Sequence, residues 1–262
     1  MYFCALMLID SHTHLYLDAF NDDRAQVVQQ AIDSGVGYML LPGIDSHSLD
    51  AMKQLHKQFP AHCLPMMGLH PTSVKDQYEA ELNLVEKELD QGGYIAVGEI
   101  GIDLYWDKTH REQQADAFRR QLQLAKKHKL PVSIHTRDAF ETVYSIVKEE
   151  VNDDLKGVFH CFTGNETEAG QIADLGFLMG IGGVVTFRNS GLAGVVKQIP
   201  MEFLILETDA PFLTPVPYRG KRNQSSYLTY IAAKLAEIKG CRTEDIAVST
   251  SGNAATLFNL EH

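Results

Sequence analysis

His12 and His14 stand two apart, a spacing that on an extended chain turns both imidazoles to the same side, where they can share one cation. Alone, a His-x-His pair is equally well read as two polar residues in a loop. Glu99, His135, His160 and Asp209 alter that reading, because each stands at or just beyond the end of a short apolar run, in segments 94–99, 131–135, 157–160 and 203–207. A single polar residue at such a place is ordinary, whereas six placed alike point to a common site. A catalytic zinc takes three protein ligands and a water, so four histidines and two carboxylates exceed the needs of one ion. Two divalent ions are expected, ~3.5–4 Å apart, with one carboxylate bridging them and a hydroxide held between. Glu99, from the middle of the strand order, is the expected bridge. The donor set accepts zinc, manganese, nickel or, less readily, magnesium.

Positioning these residues requires a frame that brings strand ends together. Eight apolar segments can be counted, at 6–10, 38–42, 64–69, 94–99, 131–135, 157–160, 177–181 and 203–207, with helix-period stretches such as 111–128 and 138–149 between them. Strands buried on both faces and alternating with helices imply parallel neighbours, and eight such units predict an α/β fold of the (β/α)8 TIM-barrel type. There the carboxyl ends of the strands form one rim that carries the chemistry. A doubly wound open sheet is the alternative, but no Gly-x-Gly-x-x-Gly follows the first strand. At 262 residues the chain suits one hydrolase domain over 1–259, with 260–262 resembling the start of an expression tag.

Composition narrows the partners. With a net charge of -11 the chain repels polyanions at long range, which argues against a broad duplex-binding face but leaves room for a small basic pocket. Cys4, Cys63, Cys161 and Cys241 lie far apart with no Cys-x-x-Cys spacing, so neither a disulfide framework nor a zinc ribbon is expected, and a reducing cytoplasm fits. The apolar opening 1–9 lacks a basic flank and reads as a first strand, not a signal peptide. No apolar run approaches the ~18–20 residues of a membrane span, so no membrane partner is expected. A monomer is assumed.

Six segments together carry a resemblance. Asp10-Ser-His-Thr-His14, Gly68-Leu-His-Pro71, Gly98-Glu-Ile-Gly-Ile-Asp103, Ile134-His-Thr-Arg-Asp-Ala139, His160-Cys-Phe-Thr-Gly164 and Glu207-Thr-Asp-Ala-Pro211 are similar, in the same order, to those of the TatD-type deoxyribonucleases. The match covers nearly the whole chain, and the combination is far more specific than any one motif.

The resemblance implies an amidohydrolase-like barrel with two divalent ions (Mg, Mn or Zn) that hydrolyses phosphodiester bonds in DNA. By motif position His12, His14, Glu99 and Asp209 would hold one ion, and Glu99, His135 and His160 the other. A hydroxide bridging the metals would attack phosphorus, with Asp209 able to serve as its base. His70 resembles the family's additional active-site histidine, a candidate to hydrogen-bond the phosphate; the other reading is a residue that stiffens the loop beside Pro71. Arg137 could clasp a phosphate or pair with Asp138 or Glu141. Arg219, Lys221 and Arg222 follow the last ligand strand with a composition suited to phosphate contacts. The family's Asn-Glu-Pro continuation reads Asn223-Gln224-Ser225 here, which puts substrate preference in question. Glu207 should lie deeper on the Asp209 strand and orient a ligand imidazole.

The expected activity is a deoxyribonuclease acting on DNA ends, 3′–5′ exonuclease-like, with single-stranded ends preferred. The alternative is an amidohydrolase-type ester or amide hydrolase with a small or aminoacyl substrate. Related barrels often bridge their metals with a carbamylated Lys. Glu99 at the corresponding strand end leans toward phosphate chemistry.

Overall fold

Short runs rich in Val, Ile, Leu and Met, with no polar face to offer water, can be buried only between two layers of other elements. The computed structural model describes residues 7–106 and 108–260. Within them the runs form eight parallel strands: β1 (Leu8–Asp10), β2 (Val36–Leu41), β3 (Cys63–Pro65), β4 (Val97–Asp103), β5 (Val132–Arg137), β6 (Gly157–Phe159), β7 (Leu178–Ile181) and β8 (Leu204–Leu206). Between and after them come α1 (Arg24–Asp33), α2 (Ser46–Gln58), α3 (Tyr78–Gln91), α4 (Arg111–His128), α5 (Phe140–Glu150), α6 (Glu166–Asp174), α7 (Leu192–Gln198), α8 (Leu228–Lys239) and α9 (Thr243–Phe258).

Regular pairing runs β1-β2-β3 and β4-β5-β6-β7-β8. Contacts outside these ladders close the ring. Gly98 N–H donates to Met67 O at 3.0 Å between β3 and β4, and Ser11 N–H donates to Leu206 O at 3.0 Å between β8 and β1. The result is the expected (β/α)8 barrel. Its larger apolar cluster lies between strands and helices, and a second gathers Ile9, Leu40, Met66, Ala96, Val158 and Ile205 with Ala254, Ala255 and Phe258 of α9. All of these but Leu40 and the α9 residues precede a chemistry-bearing position by two to four places, so α9 plugs the floor of the barrel beneath the site.

Capping fixes where helices begin. Asp45 accepts from the backbone of His47 and Ser48 at the start of α2, and Asn165 does the same for Thr167 and Glu168 at α6. The basic end of α4 pairs outward, Lys126 with Glu150 and Lys127 with Glu86 and Asp90, as a solvated cluster opposing the helix dipole.

Boundaries differ from the sequence expectation at several places, β4, β3 and α5 among them. Strand β4 starts later and runs on to Asp103, because Ile100 and Ile102 stay buried and Gly101, at φ 143°, lets the strand close on β5. A Cβ on Gly101 would meet His135 O at 2.0 Å. Strand β3 ends at Pro65, leaving 66–69 as an irregular segment tied to β4 by the Met67–Val97 bridge. Helix α5 begins at Phe140 and not at 138, since Asp138 has φ 53° and cannot start a right-handed helix. The expected first strand reached back to residue 6, and positions 1–6, 261 and 262 lie outside the described residues. Leu260, placed in the expected tag, packs against the α9 cluster. Among the described residues no helix is long and apolar enough to cross a membrane.

Candidate metal and active site

Glu99 lies third in the seven-residue β4, and not at a strand end as expected; its side chain is 2% exposed on the barrel axis. The two carboxylate oxygens face different partners. Oε2 lies 3.1 Å from His12 Nε2 and 3.5 Å from His14 Nε2, on the β1 side. Oε1 lies 2.7 Å from His135 Nδ1, 2.8 Å from His160 Nε2 and 3.3 Å from His70 Nε2. Asp209 Oδ1 completes the β1 side at 3.6 Å from His14 Nε2 and 4.0 Å from His12 Nε2. Asp209 has φ 56°, a strained conformation for a non-glycine residue, and its backbone is held by an N–H bond to His12 O at 2.9 Å.

Three of the four imidazoles of His12, His14, His135 and His160 are hydrogen-bonded on the nitrogen that faces away from the Glu99 carboxylate. His12 Nδ1 meets Ser133 Oγ at 3.2 Å, and His14 Nδ1 meets Tyr16 Oη at 2.9 Å. The Tyr16 hydroxyl donates to Pro42 O, so it accepts from His14, which protonates Nδ1 and leaves Nε2 with a free lone pair. His135 is turned the other way, donating Nε2–H to Asp103 Oδ2 at 3.0 Å and presenting Nδ1 to Glu99. His160 Nδ1 lies 3.4 Å from Glu207 Oε1 without the geometry of a hydrogen bond. Glu207 instead accepts from Cys161 N–H at 2.6 Å. A Cβ at Gly180 would sit 2.0 Å from Glu207 Oε2, so only glycine leaves this carboxylate room.

His70 differs from the other four. Its Nδ1 accepts the Thr72 backbone N–H at 3.1 Å, so in the neutral ring the proton is on Nε2, the atom facing Glu99. That nitrogen is a donor, suited to an anionic oxygen and unsuited to a cation.

The electrostatics suit a cation. Burial holds His12 and His14 below the usual histidine range, His14 furthest, keeping both neutral as ligands must be. Burial alone would raise Glu99, but His160, His70 and His12 around it hold the carboxyl well below the usual range. Burial would likewise lower His160 and His135, yet Glu99 with Glu207 raises the first, and hydrogen bonds that His135 makes to Asp103 and Glu99 raise the second. Positive charge thus gathers as protons on the Oε1 side of Glu99, where a divalent ion would displace them. Burial pushes Asp209 up to about 8.

Donor spacing provides a separate test. Around a tetrahedral ion with bonds near ~2.1 Å, neighbouring ligand atoms lie ~3.4 Å apart. His12 Nε2 and His14 Nε2 are 3.3 Å apart, too long and badly paired for a useful imidazole–imidazole bond but suited to a shared cation. His12, His14 and Asp209 form one such group, His12, Glu99 and His160 another, and His70, Glu99 and His135 a third. The donor sets therefore fit divalent metal, with His70 set apart by its tautomer.

The basic residues are placed less uniformly. Arg137 makes no ion pair with Asp138 or Glu141 among the described residues; its guanidinium lies 3.8 Å over the Tyr105 ring and 5.4 Å from that of Trp106. Arg219 lies 3.8 Å over Phe187, and Lys221 Nζ is 5.6 Å from the Tyr218 ring. Arg222 is engaged elsewhere, with Nη1 and Nη2 donating to both Asp23 oxygens at 2.9 and 2.6 Å. Arg222 is thus paired with a carboxylate of the segment between β1 and α1. Asn223 is buried and donates Nδ2–H to Thr208 O and Phe212 O, holding the turn that carries Asp209, while Gln224 bonds Ser226 Oγ at 2.7 Å.

Two features escaped sequence reasoning. Asp103 was visible in the Gly98–Asp103 segment, but nothing local says that its partner is His135 across β5. Tyr16, two residues beyond His14, carries no pattern that marks it as the group setting a tautomer.

A family profile described as "TatD related DNase" matches residues 9–259. The chain is 37% identical over 255 residues to the uncharacterized metal-dependent hydrolase YabD of Bacillus subtilis, covering 97% of this chain and all of that protein. It is 32% identical over 259 residues to the 3′-5′ ssDNA/RNA exonuclease TatD of Erwinia tasmaniensis, again covering 97% of this chain and all of that one. Among solved structures, the TatD homologue YjjV of Escherichia coli superposes with a TM-score of 0.91 at 29% identity, covering 97% of this chain and 98% of its own.

Proposed function

The chain belongs to the TatD-related DNase family of metal-dependent hydrolases, and on that footing we propose that residues 1–259 form one phosphodiesterase domain that shortens single-stranded DNA from its 3′ end. The observation that carries this reading is the division of the Glu99 carboxylate, one oxygen toward His12 and His14 and the other toward His135 and His160, with the His70 donor beside it. In this assignment His12, His14, Glu99 and Asp209 would hold one divalent ion, and Glu99, His135 and His160 the other.

Bound divalent ions supply Lewis acidity and lower the pKa of coordinated water. The chain's own groups do the rest. His70 donates Nε2–H to a non-bridging phosphate oxygen, a bond that strengthens as negative charge builds there. Asp209, on the His12–His14 side of the site, would accept a proton from the attacking water. Asp103, Tyr16 and Ser133 hold their imidazoles in one orientation through the cycle. Glu207 fills the floor beneath His160 and fixes the Cys161 backbone.

One preparation assayed with and without chelator against bis-p-nitrophenyl phosphate, single-stranded oligonucleotides and carboxyl esters tests the proposal. Chelator-sensitive cleavage of the two phosphodiesters is expected. Hydrolysis confined to the carboxyl esters would replace it with the amidohydrolase-type reading.

A further inference from the structure

Exposed aromatic side chains flank the mouth of the site on two sides. Tyr105 and Trp106 follow β4 and are 53% and 69% exposed, and Phe212, three residues beyond Asp209, is 52% exposed. Strand order in the ring places β4 and β5 across the barrel from β8 and β1, so these rings stand on opposite lips with the donor cluster between them. Phe212 lies edge-on to His14, with centroids 6.4 Å apart. The Tyr105 and Trp106 rings are perpendicular, with centroids 5.0 Å apart.

The β4 lip is anchored to the site. Asp103 Oδ1 accepts the backbone N–H groups of Tyr105 at 3.0 Å and Trp106 at 3.2 Å, while its Oδ2 accepts from His135. One buried carboxylate therefore fixes both the ligand imidazole and the aromatic pair. Arg137, next to Asp103 in the β4–β5 register, lies over the Tyr105 ring. A guanidinium stacked in this way still has N–H donors for a phosphate.

We propose that Tyr105 and Trp106 on one lip and Phe212 on the other are stacking faces for the bases flanking the scissile phosphate of an unpaired strand, with Arg137 holding the adjoining phosphate. This rests on the nucleic-acid reading of the site and specifies how the substrate is held. Every base has a π-face, so such recognition tolerates sequence, and it is closed to duplex because paired bases are already stacked. It also reconciles a chain of net charge -11 with a polyanionic substrate, since attraction through rings needs few phosphate contacts.

Trp106 is the chain's one tryptophan, so its emission reports directly on the lip. Metal-loaded protein is titrated with thymidine 5′-monophosphate and with 2-deoxyribose 5-phosphate, which share the phosphate and differ in the base. Saturable quenching by the nucleotide alone is expected. Trp106→Ala should raise KM for a single-stranded oligonucleotide about tenfold, within the roughly 5- to 150-fold that loss of one stacked base produces, with a smaller effect on kcat. Trp106→Phe should restore most of it, and Phe212→Ala should act in the same direction. If the oligonucleotide is cleaved but neither compound quenches and Trp106→Ala keeps the parent KM, the stacking site is wrong and the nuclease reading stands. If no oligonucleotide is cleaved, nucleotide-specific quenching still supports the stacking site, and its absence overturns both.

Discussion

Asp103 accepts the Nε2 proton of His135 at 3.0 Å, and this contact decides which ring nitrogen His135 offers to the interior of the barrel. With Nε2 committed, Nδ1 faces Glu99, opposite in sense to His12, His14 and His160, each of which presents Nε2. Outer partners of this kind orient a ligand and raise its basicity. Asp103→Ala is therefore expected to weaken metal affinity about 10- to 100-fold at unchanged circular dichroism. Calorimetric titration with zinc or manganese measures it, and an unaltered affinity would refute the orienting role.

Metal stoichiometry is the most direct check on the donor count. Elemental analysis of saturated protein should return two ions per chain, and a chelator should abolish hydrolysis. Ions that bind only the folded chain also stabilise it, by about 2.7 kcal/mol at a free concentration of 100 Kd, so Tm should climb with added metal. One ion or none, with full activity in chelator, would dismiss the two-metal site.

Glu99 and His70 are neighbours at 3.3 Å with different expected losses. If Glu99 serves both ions, as proposed, Glu99→Ala should lose metal and turnover together. His70 lacks a free nitrogen for a cation, so His70→Ala should keep both ions while kcat falls on the order of 10²-fold, the scale of one lost donor at a developing charge. Metal analysis and kinetics on the same two preparations separate the roles. Metal loss in His70→Ala would contradict its tautomer.

Arg222 and Arg137 make opposite predictions despite the same side chain. Arg222→Ala should lower Tm by about 1–3 °C and leave oligonucleotide KM unchanged, because its guanidinium is paired with Asp23 at the surface. Arg222 depresses the Asp23 pKa, so this contribution is present above the ordinary aspartate range and is lost as pH falls through the depressed value. The Tm difference should shrink in acid. Arg137→Ala should instead raise KM with little change in Tm. An unchanged KM in Arg137→Ala, or a raised one in Arg222→Ala, would reverse the two assignments.

The sequence by itself determined the barrel and named the residues that the structure gathers around Glu99. Apolar runs alternating with helix-period segments leave few ways to bury both faces of eight strands, and His12, His14, Glu99, His135, His160 and Asp209 are legible because each follows or ends such a run. Strand limits were less legible: the expected segment stopped at Glu99, whereas β4 runs on through Gly101, which permits a close approach to β5. Tertiary structure alone decided how the side chains are used. Arg222 sits in a basic run that reads as a phosphate contact, yet its partner Asp23 is 199 positions away and becomes a neighbour only when the ring closes. The same holds for the tautomers, which depend on Tyr16, Ser133, Asp103 and the Thr72 backbone, and for the aromatic lips, which face each other because β4 and β8 are opposite in the ring. Local periodicity reports which face of a strand is buried. Pairing across the barrel depends on closure, which no local pattern encodes.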